Sequence, residues 1–147
     1  LPVAGADGGR GEVLSCQALY EDQSFYKESG KSGFLHMDGQ AVFKFAVRKV
    51  PEAILEVLEL NGLTIEDIDW FVVHQANRRI IESVARHLGV SLERFPVNLQ
   101  EYGNTSAASI PILLDEMRHS GQLKKGQRLV IAGFGAGLTW GASILDC

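Results

Sequence analysis

Asp69-Trp-Phe-Val-Val-His-Gln-Ala-Asn77 is the stretch on which the fold turns. Trp70 to Val73 is a continuous apolar run, too dense for a half-exposed strand, and predicts a central strand of a parallel sheet. The run stops at His74, and an amphipathic pattern follows from Arg78 to Leu88, with Ile80, Ile81, Val84, Ala85 and Leu88 on one face and Gly89 as its stop. His74 therefore stands at a strand-to-helix junction, where a rigid scaffold can aim a polar side chain.

Upstream, Val42, Phe43, Ala46, Val47, Val50, Ile54, Val57 and Leu58 recur at spacings of three and four, behind a start at Asp38 or Gly39. Pro51 predicts a kink or break within this helix, and Asn61-Gly62 its end. Thr64 to Asp67 reads as an N-cap and short turn. Gly11 to Leu19 reads as a strand and Tyr20 to Gly33 as a loop.

Downstream, Phe95-Pro-Val97 reads as a short strand, and Thr105 or Ser106 caps a helix reaching about His119, with Gly121 ending it. Arg128 to Gly133 and Leu138 to Leu145 read as strands joined by Phe134-Gly-Ala-Gly137. The alternation predicts an α/β fold with a mixed, mostly parallel, five-stranded sheet and helices packed on it.

The chain has 147 residues, 46% of them hydrophobic, and a net charge of −4. One domain with a real core is expected, and a general nucleic-acid-binding role is not. No apolar run is long enough for a membrane span, and Leu1 to Gly11 lacks the basic and apolar regions of a secretion signal. Cys16 and Cys147 match neither a zinc pattern nor a disulfide framework, which favours a reducing cytoplasm. Cys16 reads as a small buried hydrophobe. The chain starts without methionine and reads as a fragment or a processed chain.

Each motif has a plain reading and a chemical one. His74 can be a satisfied junction residue, or a neutral imidazole that stabilises an anion near neutral pH. Asn104, in Gly103-Asn-Thr-Ser-Ala-Ala-Ser109, reads first as a turn residue. The Phe134-Gly-Ala-Gly137 segment reads as a hairpin turn, or as a backbone N–H offered to an oxyanion. Its glycines precede a strand with no Lys-Ser/Thr, which disfavours a phosphate loop. Arg78, Arg79, Arg86, Lys44, Arg48 and Lys49 read as solvated faces, or as a basic patch for an acidic partner.

Taken together, His74-Gln-Ala-Asn77, Gly103-Asn-Thr-Ser-Ala-Ala-Ser109 and Phe134-Gly-Ala-Gly-Leu-Thr-Trp-Gly141 closely resemble β-ketoacyl-acyl carrier protein synthase III, a thiolase-fold condensing enzyme. The likeness runs from about Gly33 to Leu145 and is loose over residues 1–32. Members of that family are about twice this length, so residues 1–147 look like the C-terminal thiolase-like domain. The half with the nucleophilic cysteine is missing, and the first strand is expected to be clipped before Leu1.

The resemblance implies a decarboxylative Claisen condensation of an acyl-coenzyme A starter with malonyl-acyl carrier protein, initiating fatty-acid synthesis. His74 and Asn104 would then be the His and Asn of a Cys-His-Asn triad, and Ala136 the oxyanion N–H. Phe134 would wall the site. Asn77, Gly39, Gln40 and Phe43 would contact the pantetheine arm, and Lys44, Arg79 and Arg86 would dock acyl carrier protein.

No metal and no cofactor are implied; the coenzyme A thioester is a substrate. The partners implied are the chain's own N-terminal half, a second subunit in a homodimer, and the two substrates. This chain alone is expected to be inactive, and to self-associate through an uncovered Val42-to-Leu58 stripe. Two alternatives remain: a non-catalytic module that binds acyl carrier protein or a partner chain, and a thiolase-fold acyltransferase of secondary metabolism.

Overall fold

A computed structural model describes residues 1–16 and 35–147. In chain order its elements are β1 (Val3–Ala6), β2 (Leu14–Cys16), β3 (Leu35–Met37), α1 (Gly39–Leu60), β4 (Trp70–Val73), α2 (Arg78–Leu88), α3 (Leu99–Tyr102), α4 (Ser109–His119), β5 (Arg128–Gly135) and β6 (Thr139–Asp146). The main sheet has the order β1-β6-β5-β4, and β2 pairs with β3 in a separate two-stranded sheet. The loop read over Tyr20 to Gly33 lies outside the described residues.

The sheet corrects the expected count and direction. It has four strands among the described residues, and only the β4–β5 pair is parallel. Strand–helix alternation governs only the crossover from β4 through α2 and α4 to β5; β6 returns as a hairpin, and β1 adds antiparallel to it. β4 is thus the outermost of the four strands, although it is buried on both sides.

Two helical layers explain that burial. Phe71 and Val73 point into the main core, which α1 and α2 fill with Ala46, Val50, Ile54, Val57, Ile81 and Val84. Val72 points the other way, onto Leu113 and Met117 of α4. The next strand alternates in step, Val130 and Ala132 toward α1 and Leu129 toward α4. Each such large side chain contributes about 1.5–3 kcal/mol on burial.

The α1 stripe is therefore covered within the chain: Val42, Ala46, Val50, Ile54, Val57 and Leu58 are all buried. Self-association through this stripe is not what the fold offers. Asp38 caps the helix, its carboxylate accepting the Gln40 and Ala41 N–H groups at 3.0 and 2.9 Å. The helix runs on through Pro51, with no break in its assignment. Proline removes one hydrogen bond there, and the buried Val50, Pro51 and Ala53 offset the loss.

Three further readings change. Val3–Ala6, to which the sequence reading gave no element, is the strand β1, paired with β6 from Val3 opposite Ala142 to Ala6 opposite Thr139. Its small residues hide it from a hydrophobic pattern, and Gly5 is needed because a Cβ there would lie 2.4 Å from the Trp140 ring. Phe95-Pro-Val97 forms no strand; Phe95 instead plugs the core, stacked on Phe71 at 5.0 Å. Cys16, at the end of the short β2, is exposed.

Candidate active site

The C-terminal end of β4, the start of α4 and the β5–β6 turn converge on one cavity of about 650 Å³. His74, Asn104, Phe134 and Ala136 all line it. Leu14, Leu35 and Met37 of the small sheet form another part of its wall, with Ile110 of α4.

His74 is held from several sides. Its N–H donates to the Ala132 carbonyl at 2.8 Å, extending the parallel β4–β5 pairing by one residue. Its Nδ1 lies 2.6 Å from Ser109 Oγ, and its ring meets Phe134 edge-on with centroids 5.3 Å apart. Burial pushes its pKa below the ordinary histidine value, because desolvation penalises the imidazolium. A neutral ring with one N–H donor is the form this setting favours.

Asn104 follows Gly103, whose φ of +65° suits glycine, and closes an Asx turn: its Oδ1 accepts the Ser106 N–H at 3.0 Å. Ser106 itself sits at φ +53°, a left-handed conformation uncommon for serine. The turn occupies the amide oxygen, so the Nδ2–H donors remain for the cavity. Ala136 caps the β5–β6 turn; its carbonyl accepts from Thr139 Oγ1 at 2.9 Å, and its N–H has no backbone partner among the described residues. Gly137 beside it needs φ +135°, and a Cβ there would sit 2.7 Å from Thr139 Cγ2.

The remaining sequence-nominated residues lie outside this wall. Gly39 and Gln40 are exposed in the first turn of α1, and Phe43 packs partly buried against the main core. Asn77 is exposed and caps α2, its Oδ1 accepting the Arg79 N–H at 2.8 Å. None of the four lines the cavity. Lys44, Arg79 and Arg86 are exposed on α1 and α2, which pack on one another. Among the described residues none of the three is in an ion pair, whereas Arg48 and Lys49 engage Glu52 and Arg78 engages Glu82.

Two residues that hold the histidine escaped the sequence reading, Gln75 behind it and Ser109 beside it in the cavity wall. Gln75 is fully buried, donating to the Val73 carbonyl at 2.8 Å and accepting the Asn98 N–H at 3.3 Å. Ser109 is 2% exposed and touches both the His74 ring and the Gln75 N–H. A polar residue directly after an apolar strand was the available signal for Gln75; Ser109 gave only its place at a helix start. Neither Cys16 nor Cys147 lines the cavity. Among the described residues no group of three or more His, Cys, Asp or Glu could hold a metal, and no helix is long and apolar enough to cross a membrane.

An α/β sheet with helices on both faces and these junction residues at one end has the thiolase-like form. The chain belongs to the family described as 3-oxoacyl-[acyl-carrier-protein] synthase III C terminal, whose model matches residues 58–147. It is 49% identical over 142 residues to the β-ketoacyl-[acyl-carrier-protein] synthase III of Clostridium acetobutylicum, covering 96% of this chain and 44% of that protein. The solved synthase III of Thermus thermophilus superposes with a TM-score of 0.88 at 43% identity, covering 99% of this chain and 45% of that one. A priming β-ketosynthase of the R1128 polyketide pathway gives 0.87 at 36% identity, with 98% and 43% covered. The chain thus spans less than half the length of these relatives.

Proposed function

We propose that this chain supplies the enolate-stabilising part of a decarboxylative condensing site. An acyl group passes from coenzyme A to a cysteine thiolate in the part of the protein matching the rest of the relatives' length, and coenzyme A leaves as the thiol. Malonyl-acyl carrier protein then loses carbon dioxide. The enolate oxygen receives hydrogen bonds from His74 and from Asn104 Nδ2. The enolate carbon attacks the acyl-cysteine carbonyl, whose oxygen turns to the Ala136 N–H, and the thiolate departs as the β-ketoacyl product forms. Phe134 keeps water from the thioester.

One observation carries this reading: His74, Asn104, Phe134 and Ala136, spread over 63 positions of sequence, line one cavity. A docking module needs no such convergence of donors, so the non-catalytic alternative is the weaker reading. The step calls on hydrogen-bond donors alone, with coenzyme A as part of the substrate.

The same reading takes the complete protein as a cytoplasmic homodimer. Gly39, Gln40, Phe43 and Asn77 would meet the pantetheine arm at the entrance, and the exposed Lys44, Arg79 and Arg86 would meet acyl carrier protein. The likeness to a polyketide priming synthase favours a second reading, the same chemistry with a starter of secondary metabolism.

Intact mass spectrometry of the source protein with acetyl-coenzyme A tests the proposal. One added acetyl group, mapped to a cysteine outside Leu1–Cys147, is expected. A protein that never acylates with any short acyl-coenzyme A would leave only the docking reading.

A further inference from the structure

We infer that Ser109 is a positioning residue that fixes the His74 imidazole as the tautomer with its proton on Nε2, the nitrogen left for the cavity. The catalytic meaning of this rests on the proposed condensing function, but the tautomer itself does not.

Donors and acceptors around the ring decide the tautomer. Ser109 Oγ lies 2.6 Å from His74 Nδ1 and 3.3 Å from the Gln75 amide nitrogen. The Gln75 N–H can only donate, so the hydroxyl accepts there. Its own proton then needs an acceptor. Ser109 touches the cavity wall but is only 2% exposed, and no other protein acceptor is within hydrogen-bond reach of its hydroxyl among the described residues. The unprotonated Nδ1 of His74 fills that need. The opposite tautomer would make Oγ accept twice and leave a buried hydroxyl proton without a partner.

The clamp is fixed from both sides. Gln75 is anchored by its own side chain to Val73 and Asn98, which holds the N–H that meets Ser109. Ser109 opens α4, whose Leu113 and Met117 pack under Val72 of β4. The single segment Gly103–Ser109 thus provides Asn104 at the cavity and Ser109 against Nδ1 of the ring. An imidazolium would also carry an Nδ1 proton and meet the same obstacle. The downward pKa shift of His74 through burial works in the same direction.

The test is two-bond ¹H–¹⁵N correlation NMR of the complete protein, labelled at histidine and held at pH 7.5 without substrate. The His74 resonances, assigned by loss in His74→Gln, are expected to show the Nε2–H pattern. Ser109→Ala should give a mixed or Nδ1–H pattern, and Ser109→Thr, which keeps the hydroxyl, should restore it. Carbon dioxide release from malonyl-acyl carrier protein should fall about tenfold in kcat for Ser109→Ala, with KM little changed.

A wild-type Nδ1–H pattern, or an unaltered Nε2–H pattern in a folded Ser109→Ala protein, overturns the inference. If Ser109→Ala does not fold, the wild-type and Ser109→Thr spectra decide it. An Nε2–H pattern in a wild-type protein that releases no carbon dioxide would keep this inference and defeat the proposed function.

Discussion

At the scale of single residues the site depends on which protons are where. Burial favours the neutral form of His74, and Asn104 offers Nδ2–H because the Asx turn takes its oxygen. Asn104→Ala in the complete protein should lower the condensation rate by about 10²–10³-fold, the usual cost of one oxyanion donor, with acyl transfer to the cysteine largely kept. Steady-state kinetics alongside intact mass would check both.

His74 also leaves a mark on stability. Its folded-state pKa lies below the unfolded value of 6.5, so the unfolded chain binds more protons as pH falls through that value. The resulting stabilisation is complete above about pH 6.5 and is lost toward lower pH. Urea denaturation at pH 5.5 and 7.5 should show a smaller difference for His74→Gln than for wild type. Equal differences would remove His74 as the source.

Among the elements, the β5–β6 turn is the most constrained. Gly137→Ala forces a side chain to φ +135° and into Thr139, and should cost about 1–3 kcal/mol while displacing the Ala136 N–H. Thermal unfolding of the variant, followed by acylation kinetics, would separate the two effects. Helix α1 should be just as sensitive for a different reason. Ile54 is fully buried, and Ile54→Ala should lose about 2–5 kcal/mol through transfer and cavity terms.

Helices were the legible elements. The three-and-four spacing from Val42 to Leu58 and the Arg78 start and Gly89 stop of α2 are local patterns that survive in the fold. Strands were less so. β1 is written in small residues that make sense only against Trp140, and Phe95 looks like a strand residue but serves as a plug on Phe71. In the site, His74 and Asn104 could be read from junctions and motifs. Ser109 could not, because its role exists only once α4 lies against β4.

At the scale of the molecule, the described chain covers its own α1 stripe but leaves Leu35 69% and Met37 55% exposed at the cavity wall, with Tyr102 49% exposed beyond it. Under the proposed function the rest of the protein closes over this side. The 147-residue chain alone is expected to associate through these residues, and light scattering showing a stable monodisperse monomer would count against that. Arg79→Glu with Arg86→Glu in the complete protein should raise KM for acyl carrier protein and leave the malonyl step's kcat nearly unchanged. An unaltered KM would place the carrier elsewhere.

The enolate-stabilising role of His74 is tested by carbon dioxide release from malonyl-acyl carrier protein by the acetylated complete protein, compared with its His74→Ala variant. A fall of about 10²–10³-fold is expected, with the acetyl-cysteine still formed. Release at the wild-type rate without His74 would contradict it.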